Sequence, residues 1–263
     1  TQKEKVQKED KRDSRKIARS LRSGDLIPIY VPSESTLDDR SLVRARSMLV
    51  GDMTRFKQRI KSFLYFYGIT FPPEFERRST HWSGRFMKWL ESIPMKEESG
   101  RQALDTLIEE ARNQRKLLLE VTKMIKKLSE GSKYKDQVKL LRSIPGIELT
   151  NSMVILTEVE NIKRFAKDEK FASYVGLIPT SHSSGDKEKI GEITFRSHNF
   201  LRRVFIESAW IAVRFDPALL LAYQKLCKRM EPNDAIVRIA KKLLNRVYFV
   251  LKNNKMYEYS KTI

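Results

Sequence analysis

The sequence has little of what disulfide-linked, zinc-binding and membrane-spanning proteins need. Its single cysteine, Cys227, excludes an internal disulfide framework and a zinc site built from several cysteines. The three histidines, His81, His182 and His198, lack the spacing of metal ligands. No apolar run approaches the roughly 20 residues that a membrane-spanning helix needs. These absences predict a cytoplasmic protein without a membrane segment.

Acidic residues are also few relative to basic ones. The 263 residues include 52 lysines and arginines against 33 aspartates and glutamates, which gives a formal charge of +19. A hydrophobic content of 40% indicates a folded protein rather than a basic tail. Such a charge on a globular chain favours a polyanionic partner, DNA or RNA, over an anionic membrane surface.

The apolar pattern is typical of a mainly α protein with a long helical arm. Apolar residues recur every three or four positions from Leu42 to Tyr67 and from Leu104 to Leu128, which predicts two helices with coiled-coil-like seams. A linker, Gly131-Ser132-Lys133, follows them. We therefore predict an antiparallel arm over residues 36–132, which either packs on itself or joins copies of the chain. Two further parts, residues 1–35 and 133–263, flank the arm.

A helix, a Pro-Gly turn and a second helix follow the linker. Short helices are predicted over Val138–Ser143 and Leu149–Val159, and the turn between them contains Pro145, Gly146 and Ile147. This order is typical of a helix-hairpin-helix, in which backbone N–H groups at a helix N-terminus hold a phosphate without selecting a sequence. The alternative is that the Pro-Gly pair only turns the chain.

A serine-rich segment lies between two helical patterns that both carry arginine and lysine. The run Phe171–Ile178 has a strand-like character and opens into a predicted loop of hydroxyl side chains that ends at Ser184-Gly185. An exposed hydroxyl held by a glycine turn among cations is suited to phosphate chemistry, although an ordinary polar turn has the same composition. The cations near this loop that we expect to hold nucleic-acid strands are Lys187, Lys189, Arg196, Arg202 and Arg203.

Two carboxylates lie in the chain's first predicted helix, which covers residues 1–23 and has Gly24 as its C-terminal stop. Asp10, Asp13, Ile17 and Leu21 follow helical spacing and share one face. Carboxylates in line with an apolar stripe are expected to face inward, where they need compensating cations. Mg²⁺ supplies such compensation with only one or two protein ligands. The alternative is a solvated helix in which both aspartates pair with nearby lysine or arginine side chains.

Three stretches in this order carry a resemblance to a known family. They are Lys8–Arg15, Ser143–Ile147, and Gly176–Pro179 followed by Ser183-Ser184-Gly185. With them the chain resembles the DEDD-type transposases of the insertion-sequence-110 family. The resemblance covers nearly the whole chain and is strongest over residues 138–210.

The resemblance implies a domain plan and a set of site residues. It implies the C-terminal remnant of a RuvC-like α/β nuclease domain, a coiled-coil arm, and a helical transposase domain that bears a serine. The family's D-x-x-D pair falls on Asp10 and Asp13, as Mg²⁺ ligands. Its serine falls on Ser184, and Ser183 is the competing assignment. The resemblance also implies recombination of DNA and guidance by a structured bridge RNA in at least some members. From the arm itself we expect a homo-oligomer, a dimer or tetramer.

The sequence departs from the family pattern at its start. The family's first Asp and its Glu lie well upstream of the D-x-x-D pair, and only nine residues precede Asp10 here. Half of the metal site and most of the RuvC-like sheet are therefore missing. We expect a truncated piece or a decayed copy, and we expect the 263 residues alone to be inactive in recombination.

Three hypotheses follow for the chemistry. In the first, the Ser184 hydroxyl attacks a DNA phosphorus while Mg²⁺ on Asp10 and Asp13 assists. In the second, the chain is a non-catalytic basic scaffold that binds nucleic acid through the helix-hairpin-helix. In the third, the protein is a phosphodiesterase that uses only metal and water.

Overall fold

The computed structural model describes residues 10–26, 28–184, 187–195 and 197–259. Of residues 12, 78, 181–184, 187–190 and 192 it describes the backbone alone. The described chain is mainly helical, which confirms the predicted fold class. None of its helices is long and apolar enough to cross a membrane. The helices are α1 (Asp10–Ser23), α2 (Glu34–Phe66), α3 (Gly84–Ser92), α4 (Glu98–Ser129), α5 (Lys135–Arg142), α6 (Leu149–Val159), α7 (Asp168–Val175), α8 (Asn199–Phe215), α9 (Pro217–Cys227) and α10 (Pro232–Asn253), and the strands are β1 (Pro179–Ser184) and β2 (Lys187–Ile193).

The chain divides into two compact units, Thr1–Glu34 and Ser35–Ile263. In the first unit, α1 ends at Gly24, whose φ of 74° suits a residue without a Cβ atom. Ile17 and Leu21 are 59% and 69% exposed, so the apolar stripe of α1 is not buried within the described residues. The described residues between α1 and α2 form no strand.

The predicted arm consists of α2, α3 and α4. Near one end Arg46 of α2 donates to Thr122 of α4, with 3.0 Å between Nε and Oγ1. Near the other end Ile60 shares an apolar core with Leu104 and Ile108. The residue order is reversed between the two helices, so they run antiparallel, as the two seams predict. Aromatic side chains of α3 and the preceding turns complete the core at this end of the arm.

A second core lies in the part that follows the arm. Helix α6 is buried along its length from Ser152 to Val159, because its sequence is apolar on almost every face. Helices α4, α5 and α8 contact it, and α10 contacts α5, α7, α8 and α9. The bases of α2 and α4 join the same core through Val43 and Ile125. The arm is therefore rooted in this core rather than attached by a loose linker.

The serine-rich segment differs from its prediction. Residues Phe171–Val175 are helical, because Phe171, Ala172 and Val175 follow helical rather than strand spacing and are fully buried. Gly176, with a φ of 83°, ends α7. The expected loop is strand β1, which pairs antiparallel with β2. We call this pair of strands the serine hairpin.

The Pro-Gly turn between α5 and α6 packs closely on another helix. A Cβ atom on Gly146 would lie 2.3 Å from the Ser208 carbonyl oxygen and 2.9 Å from the Ala212 nitrogen, both in α8. Its φ is 83°, in the left-handed region that favours glycine. Ile144 and Ile147 on either side are buried. The turn therefore fixes α6 against α8.

Replacing Gly146 tests this contact. Gly146→Ala should lower the free energy of unfolding by about 3 kcal/mol, because a Cβ atom meets backbone and the φ is strained. Gly51→Ala is the matched control, since Gly51 is helical with no atom within 4 Å of its Cβ position. The control should raise stability by about 0.5 to 1 kcal/mol. Denaturant unfolding measures both, and equal effects at the two positions would contradict the close packing.

Candidate functional site

A buried carboxylate, Glu158, joins three helices of the second unit. Its side chain is 0% exposed and lies near the C-terminus of α6. Arg44 of α2 donates to both carboxylate oxygens, at 2.6 and 2.9 Å. Arg40 lies 3.4 Å from Oε2 and donates to the Thr157 carbonyl at 3.0 Å. The base of the arm is thus held to the end of α6 by two arginines, where positive charge also suits the helix dipole.

His198 connects the same carboxylate to α8. Its Nδ1 accepts from the Leu201 backbone N–H at 3.3 Å, so the ring caps the N-terminus of α8. The proton therefore sits on Nε2, which lies 3.1 Å from Glu158 Oε2 and donates to it. The His198 backbone N–H also donates to the Tyr174 carbonyl.

The electrostatics of this network favour the ionised carboxylate. Burial alone would raise the pKa of Glu158, but hydrogen bonds from His198 and Arg44 and the charge of Arg44 lower it to about 2. The hydrogen bond with Glu158 in turn raises the pKa of Arg44. Each partner stabilises the charged form of the other.

The network also determines where the serine hairpin is attached. At the base of the hairpin the Thr194 N–H donates to the Ile178 carbonyl, and Arg202 of α8 donates to the Thr194 carbonyl. The Arg202 guanidinium lies against Gly176, where a Cβ atom would meet it at 2.4 Å. The hairpin is therefore held to the start of α8, and α8 is held to the arm through His198 and Glu158.

The register of the hairpin separates the two candidate serines. Ser184 pairs with Lys187, and His182 pairs with Lys189. Because residues alternate along a strand, these four positions share one face of the ribbon. Ser183 pairs with Glu188 and belongs to the other face. Ser184 thus shares its face of the ribbon with Lys187 and Lys189.

The predicted nucleic-acid contacts divide into internal and exposed residues. Gly146 and Ile147 pack inside the domain, and Pro145 is half-buried. Arg202 is an internal residue of the hairpin base, and burial lowers its pKa. Arg203 is exposed and donates to Ser47 of α2 at 3.1 Å. Arg196 and Gly185 lie outside the described residues, and the side chains of Ser184, Lys187 and Lys189 are not described.

The two predicted metal ligands lie together on α1. Asp10 and Asp13 occupy its first turn, three residues apart, and both are exposed. The expected inward orientation is therefore not seen in the unit that contains them. In the described ranges there is no group of three or more His, Cys, Asp or Glu side chains that could hold a metal. The pair offers two hard oxygen ligands on one helix face.

Comparison with known families identifies the chain. Residues 138–224 match the model of the transposase IS116/IS110/IS902 family. Residues 1–69 match a model described as a transposase, of the DEDD type in the IS110 group. The chain carries two transposase domains of the IS110/IS116 family. The first match runs from α5 through the serine hairpin into α9, and the second runs from α1 through α2.

Several curated relatives agree with the assignment. The chain is 27% identical over 240 residues to a putative transposase, y4qE, of Sinorhizobium fredii, covering 91% of this chain and 56% of the relative. It is 24% identical to the transposase for insertion sequence element IS1111A of Coxiella burnetii, covering 96% of this chain and 69% of the relative. A pilin gene-inverting protein of Moraxella bovis is 30% identical over 134 residues, which are 46% of this chain and 39% of that protein. The chain therefore spans between about half and two thirds of the first two relatives.

Sequence reasoning missed the buried carboxylates. Glu158 is the acidic residue in the otherwise apolar run of α6, and a lone charge in such a run signals a buried ion pair. Asp216 is also buried; it caps α9 through the Leu219 N–H and accepts hydrogen bonds from Arg246 at 2.5 Å and Tyr257 at 2.7 Å. Its position directly before Pro217 is a helix-start signal that the sequence contains.

The pH dependence of stability tests the Glu158 network. Because the folded pKa of about 2 lies below the ordinary 4.5, the carboxylate contributes stability above about pH 4.5 and loses it as the pH falls towards 2. Glu158→Gln should therefore lower the unfolding free energy by about 3 kcal/mol at neutral pH, and the difference from the unsubstituted chain should shrink below pH 4.5.

Glu207→Gln on α8 is the control, since Glu207 is exposed. It should change stability by less than about 0.5 kcal/mol at any pH. If the difference in unfolding free energy between Glu158→Gln and the unsubstituted chain stays constant from neutral pH to pH 2, Glu158 is not an ionised carboxylate held by hydrogen bonds.

Proposed function

We propose that this chain is the greater part of a DNA transposase that recombines DNA by acting on phosphodiesters. The observation that carries the proposal is the pair of family matches, which fall in order on the acidic N-terminal segment and on the serine-bearing domain. The relatives named as transposases and as a gene-inverting protein support strand exchange as the reaction class. A net charge of +19 supports DNA as the partner.

Ser184 is the proposed nucleophile. Its Oγ attacks a backbone phosphorus and loses its proton, an Oγ–P bond forms, and the bond from phosphorus to the leaving strand oxygen breaks. A hydroxyl of a second DNA strand then attacks the same phosphorus and releases the serine. The register supports Ser184 over Ser183, because Ser184 shares a face with Lys187 and Lys189 while Ser183 is paired with Glu188. Positive charge beside a serine favours phosphate binding and the attacking alkoxide.

Asp10 and Asp13 are the proposed Mg²⁺ ligands. Two exposed carboxylates on one helix turn fit an ion that keeps several waters and takes one or two protein ligands. Mg²⁺ bound there would neutralise phosphate charge and polarise the phosphoryl oxygens. The resemblance implies two further acidic ligands upstream, so we propose that the 263 residues alone do not recombine DNA.

Basic residues and one turn of the serine-bearing domain are proposed to position the DNA strands. The basic residues proposed to contact phosphates are Lys187, Lys189, Arg196 and Arg203. The turn at Pro145-Gly146 packs rigidly on α8 and so holds the start of α6 in place for a phosphate contact. Arg202 supports them by holding the hairpin base.

A guide RNA and a homo-oligomer joined through the arm complete the proposal. Pairing by an RNA would supply the sequence recognition, because phosphate contacts from basic residues carry none. The reaction would take place on DNA in the cytoplasm.

Two other functions are distinguishable. A non-catalytic scaffold would bind nucleic acid through the same basic surfaces but would not exchange strands. A phosphodiesterase that uses metal and water would cut DNA without a serine link.

Substitution of the two serines tests the nucleophile. The test uses a chain extended upstream of Thr1 by a segment that carries the two further acidic ligands implied by the resemblance. In that protein Ser184→Ala should lower the rate of strand exchange by at least about a thousandfold and leave DNA affinity unchanged. Ser183→Ala is the matched control and should retain most activity. Strand exchange is measured by the joining of labelled DNA ends. Activity in the Ser184→Ala protein would rule out this serine as the nucleophile.

Metal removal tests the acidic pair in the same extended protein. Chelation with EDTA, or Asp13→Asn, should abolish strand exchange, because the phosphate charge is then not neutralised. Added Mg²⁺ should restore the chelated protein but not the variant. Asp25→Asn is the control, because Asp25 lies beyond the end of α1. Full activity in EDTA would contradict a metal-dependent site.

A further inference from the structure

Two positively charged side chains contact one tryptophan on the arm, and a third lies one helical turn away. Lys57 Nζ lies over the Trp82 ring, 5.4 Å from its centroid, and Arg115 Nη1 donates to the Trp82 carbonyl at 3.4 Å. Lys61 follows Lys57 by one turn of α2 and shares its face. Lys57 and Lys61 are half-buried and Arg115 is exposed. We call Lys57, Lys61 and Arg115 the arm cation cluster.

The charges of this cluster are not neutralised within the described part of the chain. No ion pair joins any of its three members to a described carboxylate, whereas Arg55 pairs with Asp52 and Arg112 pairs with Glu91 on the same arm. Burial, and then the positive charges of Arg115 and Lys61, lower the pKa of Lys57. Like charges held together without an anion oppose folding, so their clustering calls for a ligand.

The backbone at Trp82 is a second, independent sign of a site. Trp82 has a φ of 67°, a left-handed conformation that a bulky residue rarely adopts. The Arg115 hydrogen bond and the packing of the Trp82 ring on Phe86 hold this conformation. Such strain concentrates where a side chain is kept in place for binding. Here it keeps the indole ring beneath Lys57.

We propose that the arm cation cluster binds a phosphodiester of a nucleic-acid backbone. Lysine and arginine side chains beside an aromatic ring are the usual means of holding a backbone phosphate without selecting a sequence. Lys57 lies 13 residues after Arg44 in α2, which is about 20 Å along the helix. Because Arg44 belongs to the Glu158 network, the arm cation cluster is a separate site from that network. The proposal rests on the proposed function insofar as the ligand is nucleic acid.

The test compares two triple variants of the full 263-residue chain. The site variant carries Lys57→Gln, Lys61→Gln and Arg115→Gln. The control variant carries Arg55→Gln, Lys88→Gln and Arg112→Gln, which removes the same charge from exposed positions of the arm. Fluorescence anisotropy measures binding of a duplex DNA of about 40 base pairs, and separately of an RNA hairpin, as salt is raised.

The site variant should bind duplex DNA about tenfold or more weakly near 0.1 M salt. The slope of the logarithm of its binding constant against the logarithm of the salt concentration should fall in magnitude by about 2 to 3, because each neutralised phosphate contributes about 0.9. The control should change the slope by less than about 1. An effect on duplex DNA alone assigns the site to DNA, an effect on the hairpin alone assigns it to RNA, and both support the proposal. Equal losses in the two variants would overturn it, because the charge would then act diffusely.

Two further readouts separate the possible failures. An unsubstituted chain that binds neither nucleic acid would remove the proposed function and this site together, whereas normal binding with equal variants would remove only the site.

Lys61 makes no hydrogen bond or ion pair with the described residues, so the melting temperature of Lys61→Gln should be no lower than that of the unsubstituted chain. It should still lower the salt slope by about 1. Melting that falls while the slope is unchanged would show a structural role and would contradict the proposal.

Discussion

The buried carboxylate of Glu158 is the interaction on which the arrangement of the second unit depends. It receives hydrogen bonds from Arg44 of α2 and from His198 at the start of α8, and it lies at the end of the most buried helix. A charge without water around it is tolerated only where every partner is in place. The angle at which the arm leaves the domain and the position of the first turn of α8 are therefore set together.

This constraint has a consequence for the serine hairpin. The hairpin has two strands, and an isolated pair of strands is marginally stable in water. Its base is held by Arg202 and by the Thr194–Ile178 hydrogen bond, both adjacent to the α8 start that Glu158 fixes. A buried ion pair is a poor source of stability but a good source of a unique geometry. Its value here is to give a short ribbon of hydroxyl and lysine positions a defined attachment, which the proposed nucleophile Ser184 requires.

The sequence was informative where the pattern is local and repeated. The arm follows from seams that recur over many turns, and α6 has the predicted bounds Leu149–Val159. The hairpin was not predictable, because β1 reads Pro-Thr-Ser-His-Ser-Ser and has no alternation of apolar residues. The Glu158 network was missed for a related reason: its partners lie 114 and 40 residues away along the chain. The assignments of Ser184, Asp10 and Asp13 came from family resemblance, since spacing alone left a polar turn and a solvated helix open.

The most direct measurement of the central claim is the identity of the bond between protein and DNA during the reaction. The extended protein is mixed with Mg²⁺ and a DNA end whose joining partner is withheld, and is then denatured, digested and analysed by mass spectrometry. The account predicts a peptide that contains Ser184 with a nucleotide attached through a phosphodiester to the serine oxygen. Strand exchange without any protein–DNA link, or a link at a different residue, would contradict it.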